Sequence, residues 1–162
     1  MNPNPAPFLI RPYLPADLAR LYEIDRICFS PAIAYSLGEL CFYLAGRKAI
    51  GRVAEISRWV AGFAVGRTEK DGVAHVITLD VLPEARRQGI GRALMEALHA
   101  EFDRRGARSA ILEVSVENVE ARRFYEKLGY RFVGLLPGYY NGEIDACRML
   151  RPATGAPGGT VG

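Results

Sequence analysis

Two glycines, one residue apart, sit among three arginines in Arg86-Arg87-Gln88-Gly89-Ile90-Gly91-Arg92. An apolar, strand-like run, Val76 to Leu82, precedes this motif, and a strongly periodic helical stretch follows it. Glycine has no Cβ, so the backbone can turn tightly there and come close to a ligand. The start of a helix leaves several N–H groups without intrahelical partners, and its dipole favours an anion. With fixed positive charge alongside, the segment describes a site for a pyrophosphate. The plainer reading is a glycine-containing strand-to-helix turn with solvated arginines.

The spacing excludes two common nucleotide loops. No Gly-Lys-Ser/Thr follows, so Mg²⁺-nucleotide chemistry of the P-loop kind does not fit. The third glycine of a dinucleotide fingerprint is also missing, because Met95 and its neighbours already belong to the helix. The pattern Arg/Gln-x-x-Gly-x-Gly/Ala after a strand resembles the pyrophosphate loop of the GNAT superfamily of acetyl-CoA-dependent N-acetyltransferases. Arg86, Gly89 and Gly91 stand at its signature positions. A second segment is similar to the other half of that superfamily's acetyl-CoA site. It runs Leu112-Glu113-Val114-Ser115-Val116-Glu117-Asn118, then Phe124-Tyr125-Glu126-Lys127-Leu128-Gly129-Tyr130. Its nearest likeness is to N-terminal protein acetyltransferases, including those that modify ribosomal-protein alanine.

The resemblance covers roughly residues 8 to 151. It implies an α/β fold with a mixed, mostly antiparallel sheet of about seven strands and helices on both faces. It also implies acetyl-CoA as cofactor and coenzyme A as product. The pyrophosphate would lie on Arg86, Arg87, Gln88, Gly89, Ile90, Gly91 and Arg92. Backbone groups of Leu79, Asp80 and Val81 would pair with the pantetheine arm, and a backbone N–H there would serve the oxyanion. Asn118 would touch the same arm, and it is also a good helix N-cap.

Acetyl transfer to an amine makes three demands. The amine must be unprotonated to attack, and a free α-amino group titrates near about 8. The developing oxyanion needs a fixed donor. The departing thiolate needs a proton or a hydrogen bond. Glu113 is the candidate base. On a period-2 strand it shares a face with Ile111 and Ser115, opposite Ala110, Leu112, Val114 and Val116. That more polar face can line a cleft; the alternative is a strand Glu paired with a nearby Arg. Tyr125 is the candidate acid, since a phenol is protonated at neutral pH and can donate to sulfur. The alternative is an ordinary half-buried core tyrosine. His75, early on the strand before the glycine loop, could relay protons or have no role.

Gly138-Tyr139-Tyr140-Asn141-Gly142-Glu143 and Asp145-Ala146 narrow the acceptor. They resemble the Tyr-Tyr-x-x-Gly-x-Asp-Ala loop of enzymes that acetylate protein N-termini, where the tyrosines bond the peptide backbone. The simpler reading is a hairpin with two packed aromatics. A second wall would come from Phe29-Ser30-Pro31 through Tyr35, where Ser30 interrupts the resembled Phe-Pro pair. The expected substrate is therefore a protein or peptide N-terminus. Acetylation of a small amine or a lysine side chain is the alternative within the enzyme class. A non-catalytic acyl-CoA-binding module is the alternative outside it.

Composition agrees with one ordinary domain. The chain has 162 residues, 49% hydrophobic and 24% charged, with net charge +3. That excess is too weak to suggest nucleic acid. Three cysteines without CxxC spacing argue against a disulfide framework or a zinc site, and no metal is expected. No signal peptide or membrane-length apolar run is present, so the expectation is a cytoplasmic monomer or homodimer with no membrane partner.

The elements that must position these residues read β-α-α-β-β-β-α-β-α-β-β. Phe8 to Tyr13 is a strand, and Pro15-Ala16-Asp17 opens a helix that Cys28-Phe29-Ser30-Pro31 breaks. Leu37 to Arg47 is a second helix. Strands follow at Ala49 to Ile56, Trp59 to Thr68 and Val73 to Leu82. The next helix ends near Arg105 at Gly106. Ser109 to Val116 is a strand, Val119 to Leu128 a helix ended by Gly129, and Tyr130 to Leu136 and Asp145 to Leu150 are the last strands. Residues 1 to 7 and 152 to 162, rich in Pro, Gly and Asn, are expected to be flexible ends.

Overall fold

The computed structural model describes residues 6–154. The expected flexible ends therefore lie almost wholly outside the described residues. Strands β1 (Phe8–Pro12), β2 (Ala49–Ile56), β3 (Trp59–Thr68), β4 (Val73–Val81), β5 (Ser109–Ser115), β6 (Arg131–Tyr140) and β7 (Ile144–Pro152) form one seven-stranded sheet. Their order is β1-β2-β3-β4-β5-β7-β6. The β1/β2, β2/β3, β5/β7 and β6/β7 pairs are antiparallel, and β4/β5 is parallel. The helices are α1 (Leu18–Cys28), α2 (Leu37–Tyr43), α3 (Ile90–Arg104) and α4 (Val119–Lys127). This is the expected α/β element order, with 3₁₀ turns added at Pro15–Asp17 and Pro83–Ala85.

The chain divides into two compact units that interleave in sequence. One holds the chain through Arg67 together with Val76–Glu101; the other holds Thr68–His75 and the chain from Phe102. In the first, Leu21, Ile24, Leu40, Val53 and Phe63 are buried to within 1% exposure. Ile90, Leu94 and Leu98 join them from α3, at the four-residue spacing that gives a helix an apolar stripe. In the second, Phe102, Ala110, Leu112, Val114, Tyr130 and Met149 are buried. Strand β5 alternates as period 2 requires: Ala110, Leu112 and Val114 point inward, Ile111 and Glu113 to a half-exposed face.

Boundaries depart from the sequence reading where side chains or special backbone angles intervene. Helix α2 ends at Tyr43, not Arg47. Arg67 donates to the carbonyls of Phe42 and Tyr43 and so caps the helix early, and Gly46 adopts a left-handed φ of 83°. Pro15–Asp17 opens the first helix as read, in a 3₁₀ turn that runs into α1 at Leu18 and ends on Asp17. The Asp17 carboxylate accepts from Arg11 at 2.7 and 2.8 Å and from the Leu14 amide. Strands β6 and β7 run longer than expected. Tyr139 and Tyr140 close β6 rather than lying in a loop, and Pro152 still pairs with Ser109.

Candidate active site

At the glycine motif, the chain leaves β4, makes the 3₁₀ turn and enters α3. Arg87 and Gly89 have left-handed φ values of 61° and 84°. A Cβ on Gly89 would meet nothing within 4 Å, so its left-handed backbone, not crowding, requires glycine there. The first intrahelical bond of α3 runs from the Ala93 amide to the Gly89 carbonyl at 3.0 Å. The amides of residues 87 to 92 have no acceptor among the described residues, as geometry demands at a helix start. Gln88 donates to the Glu84 carbonyl, while its Oε1 is buried without a partner. Arg87 is exposed. Arg92 pairs with Glu96 one turn on.

Upstream, Leu79 and Val81 are half-buried on one face of β4, and Thr78 and Asp80 are buried on the other. The Asp80 side chain therefore turns inward, and only its backbone is available to a pantetheine arm. The Val81 carbonyl accepts from Arg86 Nε at 2.9 Å and from Cys28 Sγ at 3.4 Å. Arg86 thus braces the turn. Phe29 and Tyr35, the expected acceptor wall, are both half-buried in this same unit. The Tyr35 hydroxyl donates to the Ile77 carbonyl at 3.2 Å.

In the other unit a charged cluster surrounds Glu113. His75 Nε2 lies 2.6 Å from Glu113 Oε2. Arg148 donates from Nη2 and Nε to Glu113 Oε1 at 2.9 and 3.2 Å. The sheet builds this cluster: β4 pairs with β5 at His75/Ile111, two residues before Glu113, and β5 pairs with β7 at Glu113/Arg148. Burial pushes the Glu113 carboxyl up, but bonds and charge from His75, then Arg148, outweigh it, and the net shift is downward. Glu113 is thus ionised at neutral pH. An ionised carboxylate only accepts, so the short contact places a hydrogen on His75 Nε2. Glu113's side chain is 5% exposed and that of His75 26%, so His75 is the outward member of the pair.

Tyr125 is half-buried on α4 and stacks edge-to-face with Phe124 and Tyr130, at 5.3 and 5.9 Å between ring centres. Asn118 Oδ1 accepts from the Ala121 amide at 3.1 Å, which makes it the N-cap of α4. Gly129, with φ of 94°, lets the Tyr130 amide return to the Tyr125 carbonyl. Tyr139 is exposed and Tyr140 half-buried, their rings nearly perpendicular at 5.0 Å. Burial, then the charges of Tyr139 and Glu113, push the Tyr140 phenol up, so Tyr140 lies in the field of the Glu113 cluster. Asn141-Gly142 turns the hairpin, and Asp145 accepts from the Gly138 amide at 2.8 Å.

The pattern of the acetyltransferase (GNAT) family matches residues 18–130. The chain belongs to that family. It is 36% identical to an uncharacterised N-acetyltransferase of Methanocaldococcus jannaschii, over 93% of this chain and 95% of the relative. It is 33% identical to an N-alpha-acetyltransferase of Sulfurisphaera tokodaii, over 83% of this chain and 90% of that one. Its fold matches the crystal structure of a ribosomal-protein-alanine N-acetyltransferase of Escherichia coli, with TM-score 0.82, 28% identity, and 94% and 98% of the two chains covered.

As a GNAT acetyltransferase the protein uses acetyl-CoA to acetylate an amine. The unpartnered amides at the mouth of α3, the left-handed Arg87 and Gly89 and the exposed arginines suit the donor's pyrophosphate. Two features of this region were not read from the sequence. One is Arg148, which the alternation of β7 against β5 would have placed opposite Glu113. The other is the inward turn of Asp80.

Proposed function

We propose that this GNAT enzyme acetylates the α-amino group of a protein or peptide N-terminus in the cytoplasm. The observation that carries the reading is the His75–Glu113–Arg148 cluster, with Tyr140 in its field and Tyr139 exposed beside it. A substrate amine brought to that cluster meets a proton acceptor and two phenols able to hold a peptide backbone. The activities of the N-alpha-acetyltransferase and ribosomal-protein-alanine relatives support the same acceptor.

Acetyl-CoA supplies an activated acetyl thioester when bound. Residues 86 to 92 would hold its pyrophosphate and backbone groups of Leu79 to Val81 its pantetheine arm, a contact that the resemblance also gives to Asn118 of the other unit. His75 and Glu113 act as a unit on the attacking amine. Glu113 keeps a hydrogen of His75 on Nε2, so Nδ1 is the atom that takes the amine's proton when it carries none of its own. Arg148 fixes the carboxylate and keeps it ionised. The Tyr125 hydroxyl donates to the departing sulfur. Tyr139 and Tyr140 bond the acceptor's backbone beside the Glu113 cluster, the resemblance gives Phe29 and Tyr35 of the other unit an acceptor role as well, and no nucleic acid, membrane or metal takes part. The protein works as a monomer or homodimer.

The test is acetylation of matched short peptides with free and blocked N-termini, each with an internal lysine. Free N-termini should react and blocked ones should not. Equal rates on blocked peptides would replace this reading with lysine or small-amine acetylation.

A further inference from the structure

Asp25 on α1 and Asp80 on β4 are 0% and 1% exposed. Each carboxyl has one oxygen with a donor and one without. Asp25 Oδ2 accepts the Tyr35 amide at 2.6 Å, and Asp80 Oδ1 accepts the Thr78 hydroxyl at 2.6 Å. Asp25 Oδ1 and Asp80 Oδ2 are buried with no donor among the described residues. The two carboxyls lie within hydrogen-bonding reach of one another. Two carboxylates only accept, so they cannot bond; one proton between them supplies the missing donor and removes a buried like-charge contact.

We propose that Asp25 and Asp80 share one proton, and that this acid–carboxylate bond positions Tyr35 against β4 and so shapes the acceptor wall. The positioning role rests on the N-terminal acetyltransferase reading; the shared proton does not. Tyr35 is held at both ends, its amide by Asp25 and its hydroxyl by the Ile77 carbonyl of β4. Asp80 sits on that same strand, on the face opposite Leu79 and Val81. The pair therefore ties the loop before α2 to the strand assigned to the pantetheine arm.

The proton resides on Asp80. Asp25 has the stronger donor, a backbone amide, and Asp80 has only a hydroxyl. Burial, as the leading cause, pushes both carboxyls up, and for Asp80 the charge of Asp25 adds to it. The other groups facing the pair are Arg26 and Cys28 of α1, Glu39 of α2 and Arg86 after β4. Burial and then Asp80 push the Cys28 thiol up to about 11, so it stays protonated through the neutral range.

A carboxyl raised in the folded state gives stability that is present at low pH and lost as pH rises through its folded value. Melting temperature is measured against pH for the wild type, Asp80→Asn and Asp25→Asn. Each amide donates the bond that the shared proton supplies, without a proton to lose. The wild type should lose stability faster than either variant as pH rises, and parallel curves would overturn the shared proton. Peptide and acetyl-CoA kinetics then test positioning. Asp25→Ala should raise the peptide KM by about fivefold, the worth of one buried hydrogen bond, with little change in the acetyl-CoA KM. Asp25→Asn should restore it. An unchanged peptide KM in Asp25→Ala, or equal losses for both substrates, would overturn the positioning role. If no peptide is acetylated at all, the acceptor reading and the positioning role fall together, while the melting curves still decide the proton.

Discussion

Replacing Glu113 with Gln keeps the side chain's shape and removes one negative charge. The carboxylate it replaces is nearly buried and makes three contacts, one to His75 at 2.6 Å and two to Arg148 at 2.9 and 3.2 Å. A hydrogen bond to a charged group contributes about 1.5–3 kcal/mol. Arg148 is 41% exposed, so water replaces much of what it loses. The His75 contact decides the outcome, because a proton taken from the amine makes His75 cationic and the carboxylate then stabilises it. Losing about 1.5–3 kcal/mol in the transition state lowers kcat roughly tenfold to a hundredfold. Glu113→Gln and a His75→Gln variant should also be strongly non-additive, since the two groups act as a unit. The assay is coenzyme A thiol release with a free-N-terminal peptide, from acidic to mildly alkaline pH, with acetyl-CoA affinity measured separately. Glu113 is held below the usual carboxylate range, so it loses its charge only in acid. Amine protonation should lower the rate of both enzymes on the acid side, and the wild type should show a further fall at lower pH that Glu113→Gln lacks. A variant within about twofold of wild type at every pH would remove Glu113 from the mechanism.

Three other expectations follow from single sites. Tyr125→Phe should lower kcat about a hundredfold with peptide and acetyl-CoA KM little changed, the size expected of a general acid; full rate would end its role. Gly89→Ala should weaken acetyl-CoA binding about fivefold, through about 1 kcal/mol of left-handed backbone strain; calorimetric titration checks it, and unchanged affinity would unseat the loop. Asp17→Asn should cost about 1–2 kcal/mol at neutral pH through the Arg11 contacts. The Arg11 hydrogen bond leads in holding the Asp17 carboxyl down, so its contribution is present above the ordinary carboxylate range and fades as pH falls below it. Denaturant melts at neutral and acid pH should converge; a constant gap would refute the ion pair.

The elements were legible because each carries a local signal. The four-residue spacing of Ile90, Leu94 and Leu98 gave α3, the alternation of Ala110, Leu112 and Val114 gave β5, and Asn118 and Gly129 bracketed α4. The error at the end of α2 came from a partner distant in sequence. Arg67 ends α2 from 24 and 25 residues away. That bond leaves no trace in the periodicity of the helix it bounds.

The site divides the same way. The glycine spacing made the strand-to-helix turn at residues 86 to 92 readable, while the left-handed angle falls on Gly89 and on Arg87, which spacing did not mark. The base was readable only as a residue type. Whether a strand glutamate is a base or half of an ion pair depends on what lies across the ladder, and here Arg148 gives it an ion-pair partner. His75 and Arg148 together hold Glu113 in its charged form, and His75 is the more exposed member of its pair. On the proposed mechanism, the ion pair first read as the alternative to catalysis would prepare it: a neutral Glu113 would donate to His75 rather than accept, and Nδ1 would lose the lone pair that lets it take a proton.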